Sequence, residues 1–201
     1  MNLLWEFTVA LAGKLGDAVI PRKFRKEDKP PVMAIDLMTI LPNDIIKVAK
    51  TQVGIRETSK NHGEGIEKYW SATSYPEGYA NREPYCAAAV CWIVREAMAA
   101  SSKTWTFKRP RSASAFGFEE WSLAQDDSTK TKKIPRGDIE PGDLVIFKFS
   151  HIGIATSRPN KDGHFATIEA NTGPNGEREG DGVWEKTRHM DQVRSRIRFA
   201  V

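Results

Sequence analysis

The feature that most constrains the fold is a change of texture near Pro135. Before it, apolar residues recur at helical spacing; after it, they come in short β-branched and aromatic runs broken by Gly, Pro and Asn. Pro42-Asn43-Asp44 opens a helix whose apolar face is Ile45, Ile46, Val48, Ala49 and Val53, with Gly54 as its stop. Ile66-Glu67-Lys68-Tyr69-Trp70 predicts a short helix, and 71–82 reads as loop. A helix beginning after Pro84 and running to about Ala100 buries Val90, Ile93, Val94 and Ala97, and 113–123 gives a further helical piece. Beyond the Pro141-Gly142-Asp143 turn, strands are predicted at 144–149, 151–156, 165–170, 182–187 and 194–201. Helices first and an antiparallel meander of about five strands second is an α+β pattern.

Size and charge bound the rest. A chain of 201 residues, 40% hydrophobic, suits one compact domain with an appendage. Leu3, Leu4, Phe7, Ala10, Leu11, Leu15 and Ala18 fall roughly at helical spacing over 2–19. That helix could dock a protein partner, lie at a membrane interface or pack on its own domain. The charged stretch 21–31 ends in Lys29-Pro30-Pro31 and reads as a linker, so the expected division is 1–40 and 41–201. The net charge of +4 and pI near 9.0 are compatible with a polyanionic partner. However, the basic runs Arg22-Lys23-Phe24-Arg25-Lys26 and Lys130-Thr131-Lys132-Lys133 fall in expected loops or linkers, with no nucleic-acid motif beside them. No uncharged apolar run is long enough for a transmembrane helix. The start lacks a basic n-region and carries Glu6, Lys14 and Asp17, so no secretory signal is expected.

The chemistry concentrates at Pro84-Tyr85-Cys86-Ala87-Ala88-Ala89-Val90. Cys86 stands in the first turn of an apolar helix, where the positive end of the dipole favours thiolate. Cys91, five residues on, is rotated by about 140° and raised by about 7.5 Å on the same helix, so the two thiols cannot pair. Cys91 reads as a small buried apolar residue. Cys86, Cys91, His151 and His164 are zinc-capable, but Cys-x4-Cys inside a helix is awkward and no His-x3-His pair accompanies it. No metal or cofactor is expected. Of His62, His151, His164 and His189, strand geometry selects His151. If 151–156 and 164–170 form an antiparallel hairpin about the 158–163 turn, His151 lies opposite Glu169, with Asn171 two residues on and on the same face. His164 falls at the far end, and Ile152 and Ile154 take the other face. A thiol, an imidazole and a carboxylate or amide that fixes the ring's tautomer are what acyl transfer needs. Either Glu169 or Asn171 fits the third place.

Several motifs together resemble the CHAP-domain peptidoglycan hydrolases, members of the papain-like superfamily that also contains the NlpC/P60 enzymes. Pro84-Tyr85-Cys86-Ala87-Ala88-Ala89-Val90 is similar to the family's proline-aromatic-Cys-Ala-Ala-Phe-Val signature. Pro141-Gly142-Asp143-Leu144-Val145 followed by Ser150-His151-Ile152-Gly153-Ile154 resembles its histidine strand, and Ile168-Glu169-Ala170-Asn171-Thr172-Gly173 its Glu-x-Asn strand end. Gln52-Val53-Gly54-Ile55-Arg56-Glu57, with Asn61, Gly63 and Ile66-Glu67-Lys68-Tyr69, is similar to the leader of many members. Tyr85 stands where tryptophan is commoner and Ala89 where phenylalanine is usual, departures in packing or substrate wall rather than in the catalytic groups. The resemblance covers about 43–200. It implies a papain-like fold and a cysteine amidase or endopeptidase acting on the peptide part of bacterial cell wall. Cys86 would be the nucleophile and His151 the base, with Glu169 or Asn171 orienting it. The backbone N–H of Cys86 would serve the oxyanion, with Tyr85 or Asn81 as second donor and Glu57 and Asn61 lining the cleft or supporting it. A papain-like enzyme on another amide substrate, or a non-catalytic relative, are the competing readings. The setting it suggests is the bacterial periplasm or wall, reached by phage lysis, virion delivery or a secretion machine.

Overall fold

The computed structural model describes residues 40–101, 103–125, 131–135 and 138–199. The expected helix at 2–19, the linker, the basic run at 22–26 and the division near residue 40 lie outside the described residues. Four helices precede the main run of strands: α1 (Ile40–Lys50), α2 (Glu64–Trp70), α3 (Cys86–Ala100) and α4 (Gly117–Leu123). The strands are β1 (Thr131–Pro135), β2 (Leu144–Phe147), β3 (His151–Ala155), β4 (His164–Thr172), β5 (Gly182–His189) and β6 (Val193–Phe199). The chain is thus α+β. Among the described residues no helix is long and apolar enough to cross a membrane.

The sheet is antiparallel, in the order β1-β6-β2-β3-β4-β5. Two expectations are corrected here. Only β2 to β5 form a meander, because β6 returns to pair with β2. The run containing Lys132 and Lys133, expected as loop, is the edge strand β1 on β6. Charge on an edge strand hides it from a sequence reading and also discourages further pairing at that edge.

Helix α3 is buried almost all round, from Cys86 through Cys91 and again at Ile93, Val94 and Ala97. It packs on α1, α2 and the β3–β4 pair. Short alanines at 87, 88 and 89 let it approach closely on several sides, and a helix that is apolar all round can only be interior. Strand alternation sorts the sheet into two faces. Leu144, Ile146, Ile152, Ile154, Ile168, Val183 and Ile197 join α3 in the main core. Val145, Phe147, Ala155, Phe165 and Val193 form a second cluster with Ile139.

Asp143 explains why the turn before β2 reads Pro-Gly-Asp. Its carboxylate is buried and accepts from the Glu140 N–H (2.8 Å) and from Nε and Nη2 of Arg198 (2.9 and 2.8 Å). It thereby locks β2 to β6. Gly142 adopts φ +90°, and a Cβ there would meet the Pro42 backbone at 2.7 Å, so the turn and the start of α1 touch only through glycine.

The core assignment is tested by contrast. Ile154→Ala should lower unfolding stability by about 2–5 kcal/mol, while Leu123→Ser, at a position 68% exposed, should stay within about 0.5 kcal/mol. Urea unfolding of both variants measures this, and similar losses for the two would contradict the packing described.

Candidate active site

Cys86 is the first residue of α3, with Tyr85 at the N-cap and Pro84 before it. Its sulfur meets His151 at the first residue of β3 and receives the backbone N–H groups of Ile152 and Ala87. Burial alone would raise this thiol. The facing imidazolium and the two N–H groups outweigh that and hold it below the ordinary cysteine value. Cys91, on the same helix, is pushed up to about 12 by burial, and its thiol donates to the Ser112 carbonyl (3.3 Å). One helix therefore carries two thiols shifted in opposite directions.

The ring of His151 is fully buried. Nε2 lies 3.0 Å from Oε2 of Glu169, an ion-pair contact rather than a well-aligned hydrogen bond, which leaves Nδ1 for the thiol. Phe147 and Phe149 stack beside the imidazole at 6.0 and 5.9 Å between centroids, confining its rotation. Burial opposes charge on the ring, but the sulfur and the Glu169 carboxylate raise it to about 9. The lowered thiol and the raised imidazole both favour the thiolate–imidazolium form, and the two titrate as a unit.

Glu169 is gripped from three sides. Arg188 donates Nε to Oε1 (2.8 Å) and Nη2 to Oε2 (2.6 Å), and the Thr167 hydroxyl donates to Oε1 (2.6 Å). Burial would raise this carboxyl, yet Arg188 first and His151 second bring it down to about 2. Arg188 and Thr167 escaped the sequence reading. The predicted fourth strand stopped at residue 187, so the alternation that puts Trp184, Lys186 and Arg188 on one face was not followed to its end.

The hairpin register differs from expectation by two. Glu169 pairs with Gly153 rather than His151, because the turn at Asn160–Gly163 moves the hairpin axis one residue toward the C-terminus. Gly163 closes that turn at φ +81° through its N–H to the Asn160 carbonyl (3.0 Å). An even shift preserves the face, so His151 and Glu169 still meet, now diagonally. The diagonal crosses Gly153. A Cβ at that position would lie 2.5 Å from Cγ of Glu169, so the glycine is the gap through which the carboxylate reaches the imidazole.

Asn171 lies elsewhere. Its amide donates to Oδ1 of Asn61 (2.8 Å), whose own amide donates to the Arg82 carbonyl (2.8 Å), while the Asn61 N–H donates to Glu57 (2.7 Å). The Glu57 carboxylate faces the Tyr85 hydroxyl without a well-aligned hydrogen bond; burial first, then that charge, drives the phenol well above the usual tyrosine range. Half-buried Glu57 and the buried Asn61, Asn171 and Tyr85 thus form one polar group joining the 55–63 loop, the end of β4 and the start of α3. Asn61, Arg82 and Asn171, together with Ser150 before His151, are the described non-glycine residues with positive φ, between 53° and 58°. Left-handed backbone gathered in this way is held by its surroundings.

The cleft at Cys86 has a volume of about 220 Å³, with Trp70 and Tyr75 as aromatic wall, Glu83 and Arg178 as charges, and Ser114 and Ser150 among its polar groups. Two expectations about it are corrected. Tyr85 and Ala89 are enclosed in the core rather than forming the substrate wall, since the apolar helix turns both inward. Nor is a second oxyanion donor presented by the side chain of Tyr85 or Asn81: the Tyr85 side chain is fully buried, and Asn81, whose amide donates to the Tyr75 hydroxyl (2.6 Å), does not line the cleft. No group of three or more metal-capable residues occurs among the described residues.

No protein-family model matches the sequence, and no curated protein matches it. Among solved structures, the chain is similar to the crystal structure of a wild-type endolysin, LysIME-EF1, at 18% identity and a TM-score of 0.45. The match covers 79% of this chain and 64% of that one, so the chain spans less than two thirds of the other's length. The chemistry is therefore read from this chain's own side chains.

Two outcomes follow. At about neutral pH a small alkylator should label Cys86 and leave Cys91 intact, as peptide mass mapping would show; equal labelling would contradict the assigned thiolate. Gly153→Ala should displace the Glu169 side chain and slow Cys86 alkylation about tenfold or more at that pH, whereas an unchanged rate in folded protein would remove Glu169 from the line.

Proposed function

We propose that this protein is a cysteine hydrolase that cleaves amide bonds in the peptide part of bacterial peptidoglycan. The observation that carries the chemistry is the line from Cys86 through His151 to Glu169: an activated thiol at a helix start, a buried imidazole and a carboxylate held ionised behind it. The choice of substrate is supported by the resemblance of the Cys, His and Glu-x-Asn motifs to CHAP-domain enzymes.

The geometry gives each group a task. The Cys86 thiolate attacks the amide carbonyl and the C=O electron pair moves onto oxygen, forming a tetrahedral oxyanion. The backbone N–H of Cys86, at the start of α3, serves that developing charge. Collapse expels the amine, which takes its proton from the His151 imidazolium, and leaves a thioester on Cys86. Water, deprotonated by the now neutral His151, attacks the thioester, releases the carboxylic acid and restores the thiolate–imidazolium pair. Glu169 acts through His151, fixing the ring and stabilising its charged form. It takes the orienting place that the sequence left open between Glu169 and Asn171, while Asn171 keeps the nucleophile helix and the end of β4 in register through Asn61.

The cleft is sized for one or two residues of a branched peptide beside the scissile amide. Glu83 and Arg178 offer it one charge of each sign, suiting a substrate that carries both ammonium and carboxylate groups, as wall peptides do. The site of action proposed is accordingly the bacterial wall.

Digestion of purified cell walls with mass measurement of the released fragments tests this reading. Wild-type protein should release peptide fragments, and Cys86→Ala or His151→Ala should each lower the rate by about 10³-fold or more while remaining folded. The fragment masses assign the bond. No release from walls of several peptide chemistries by folded protein would contradict the substrate, and release by Cys86→Ala would contradict the mechanism. The activity should also be bell-shaped in pH. It rises as Cys86 ionises below the ordinary thiol range and falls as pH passes about 9, where His151 loses the proton that the leaving amine needs.

A further inference from the structure

Arg188 does more than neutralise a buried carboxylate. It lies on β5 opposite Phe165, so its side chain runs along the sheet surface to reach Glu169. There it makes the paired contacts at 2.8 and 2.6 Å, and its remaining nitrogen, Nη1, donates to the Gly176 carbonyl at 3.1 Å. Gly176 belongs to the segment 173–181, which joins β4 to β5 and carries Arg178 into the cleft. It has φ +88°, and a Cβ there would lie 3.1 Å from Nη1, so the carbonyl meets the guanidinium because the residue is glycine. Lys186, on the same face of β5, holds the start of that segment through the Gly173 carbonyl at 3.0 Å. Phe147 and Phe149 lie under the guanidinium, each ring centre 5.3 Å from its carbon, and the same two rings flank His151.

We propose that Arg188 is a positioning residue that ties the cleft segment 173–181 to the Glu169–His151 pair, so that one buried guanidinium sets both the imidazole behind the nucleophile and the wall that carries Arg178. The inference rests on the thiol chemistry proposed above and not on the identity of the substrate. A planar fork is needed, since two nitrogens meet the two carboxylate oxygens while the third holds the loop. A lysine ammonium keeps the charge but cannot span all three acceptors.

The groups that bear on this pH behaviour can all be named. Glu169 faces His151 from β3, Arg188 from β5 and the Thr167 hydroxyl from its own strand. His151 faces Cys86 from α3 and Glu169 from β4. On the loop side, Lys186 and Glu177 are the neighbouring charges; hydrogen bonds from its own N–H and from Asn175 hold the exposed Glu177 carboxyl below its usual range, with Lys186 adding least.

Arg188→Lys in the full chain tests the proposal without any substrate. The pH dependence of Cys86 alkylation by iodoacetamide reports the thiolate, and hydrogen exchange reports the loop. With Glu169 no longer held in the fork, His151 loses part of its support as a cation. The alkylation midpoint should then rise by about one pH unit. Exchange at 173–181 should quicken, while exchange in α1 stays as in wild type. A folded variant with the wild-type midpoint and wild-type exchange would overturn the proposal, because a purely structural arginine would change stability alone. Should Arg188→Lys fail to fold, Thr167→Val removes one hydrogen bond to the same carboxylate. It must shift the midpoint in the same direction by a smaller amount, and no shift would again overturn the proposal. If wild-type protein alkylates as expected but releases nothing from cell walls, the substrate reading fails while this inference stands.

Discussion

The structure turns on one buried contact, the 3.0 Å approach of Glu169 to His151. A carboxylate and an imidazole at such depth are costly unless every partner is in place. Much of the surrounding architecture supplies those partners. Arg188 and Thr167 complete Glu169, Phe147 and Phe149 confine the ring, and the α3 terminus brings Cys86 to its other side. Gly153 is required by the same contact, as the only side chain small enough for the carboxylate to pass. Removing Arg188 or Thr167 would leave a buried charge poorly paired rather than merely delete a hydrogen bond.

Around that line the fold works as a clamp with two layers. The apolar face of the sheet holds α3 rigidly through Ile152, Ile154 and Ile168, which fixes where the sulfur stands. The opposite face carries His151, Glu169 and Arg188 beside the second apolar cluster, so core residues and ionisable residues occupy alternate positions of the same strands. Asn171, Asn61, Glu57 and Tyr85 join three chain segments at the start of α3 and anchor it. Apolar packing thus gives stability, and the buried polar groups give position.

The sequence made much of this legible, for reasons that can be traced to particular residues. Pro84 before Cys86 announces a helix start, and the alanines that follow announce a buried helix; both are local signals. His151 and Glu169 share a face because strand parity survives a register shift of two, so the pair could be found although the pairing assumed for it was offset. What stayed hidden depends on long-range geometry. Asn171 shares the face of Glu169 by alternation, yet the irregularity after Ala170 and the positive φ at Asn171 turn it toward Asn61. Tyr85 and Ala89 neighbour Cys86 in sequence, which leaves packing and cleft wall both open, but a helix buried all round sends both into the core. The wall is built instead from distant segments, by Trp70, Tyr75, Ser114 and Arg178, which no spacing rule connects. Strand β1 was missed because its lysines belong to an edge.

The central claim is covalent: a thioester forms on Cys86. Mixing the protein briefly with a soluble wall-peptide fragment, quenching in acid and mass-mapping the digest tests it directly. The account predicts an acyl adduct on the peptide containing Cys86, lost on longer incubation as the acid product accumulates. Turnover with no adduct at any time under conditions that slow deacylation, or an adduct carried by Cys91, would contradict it.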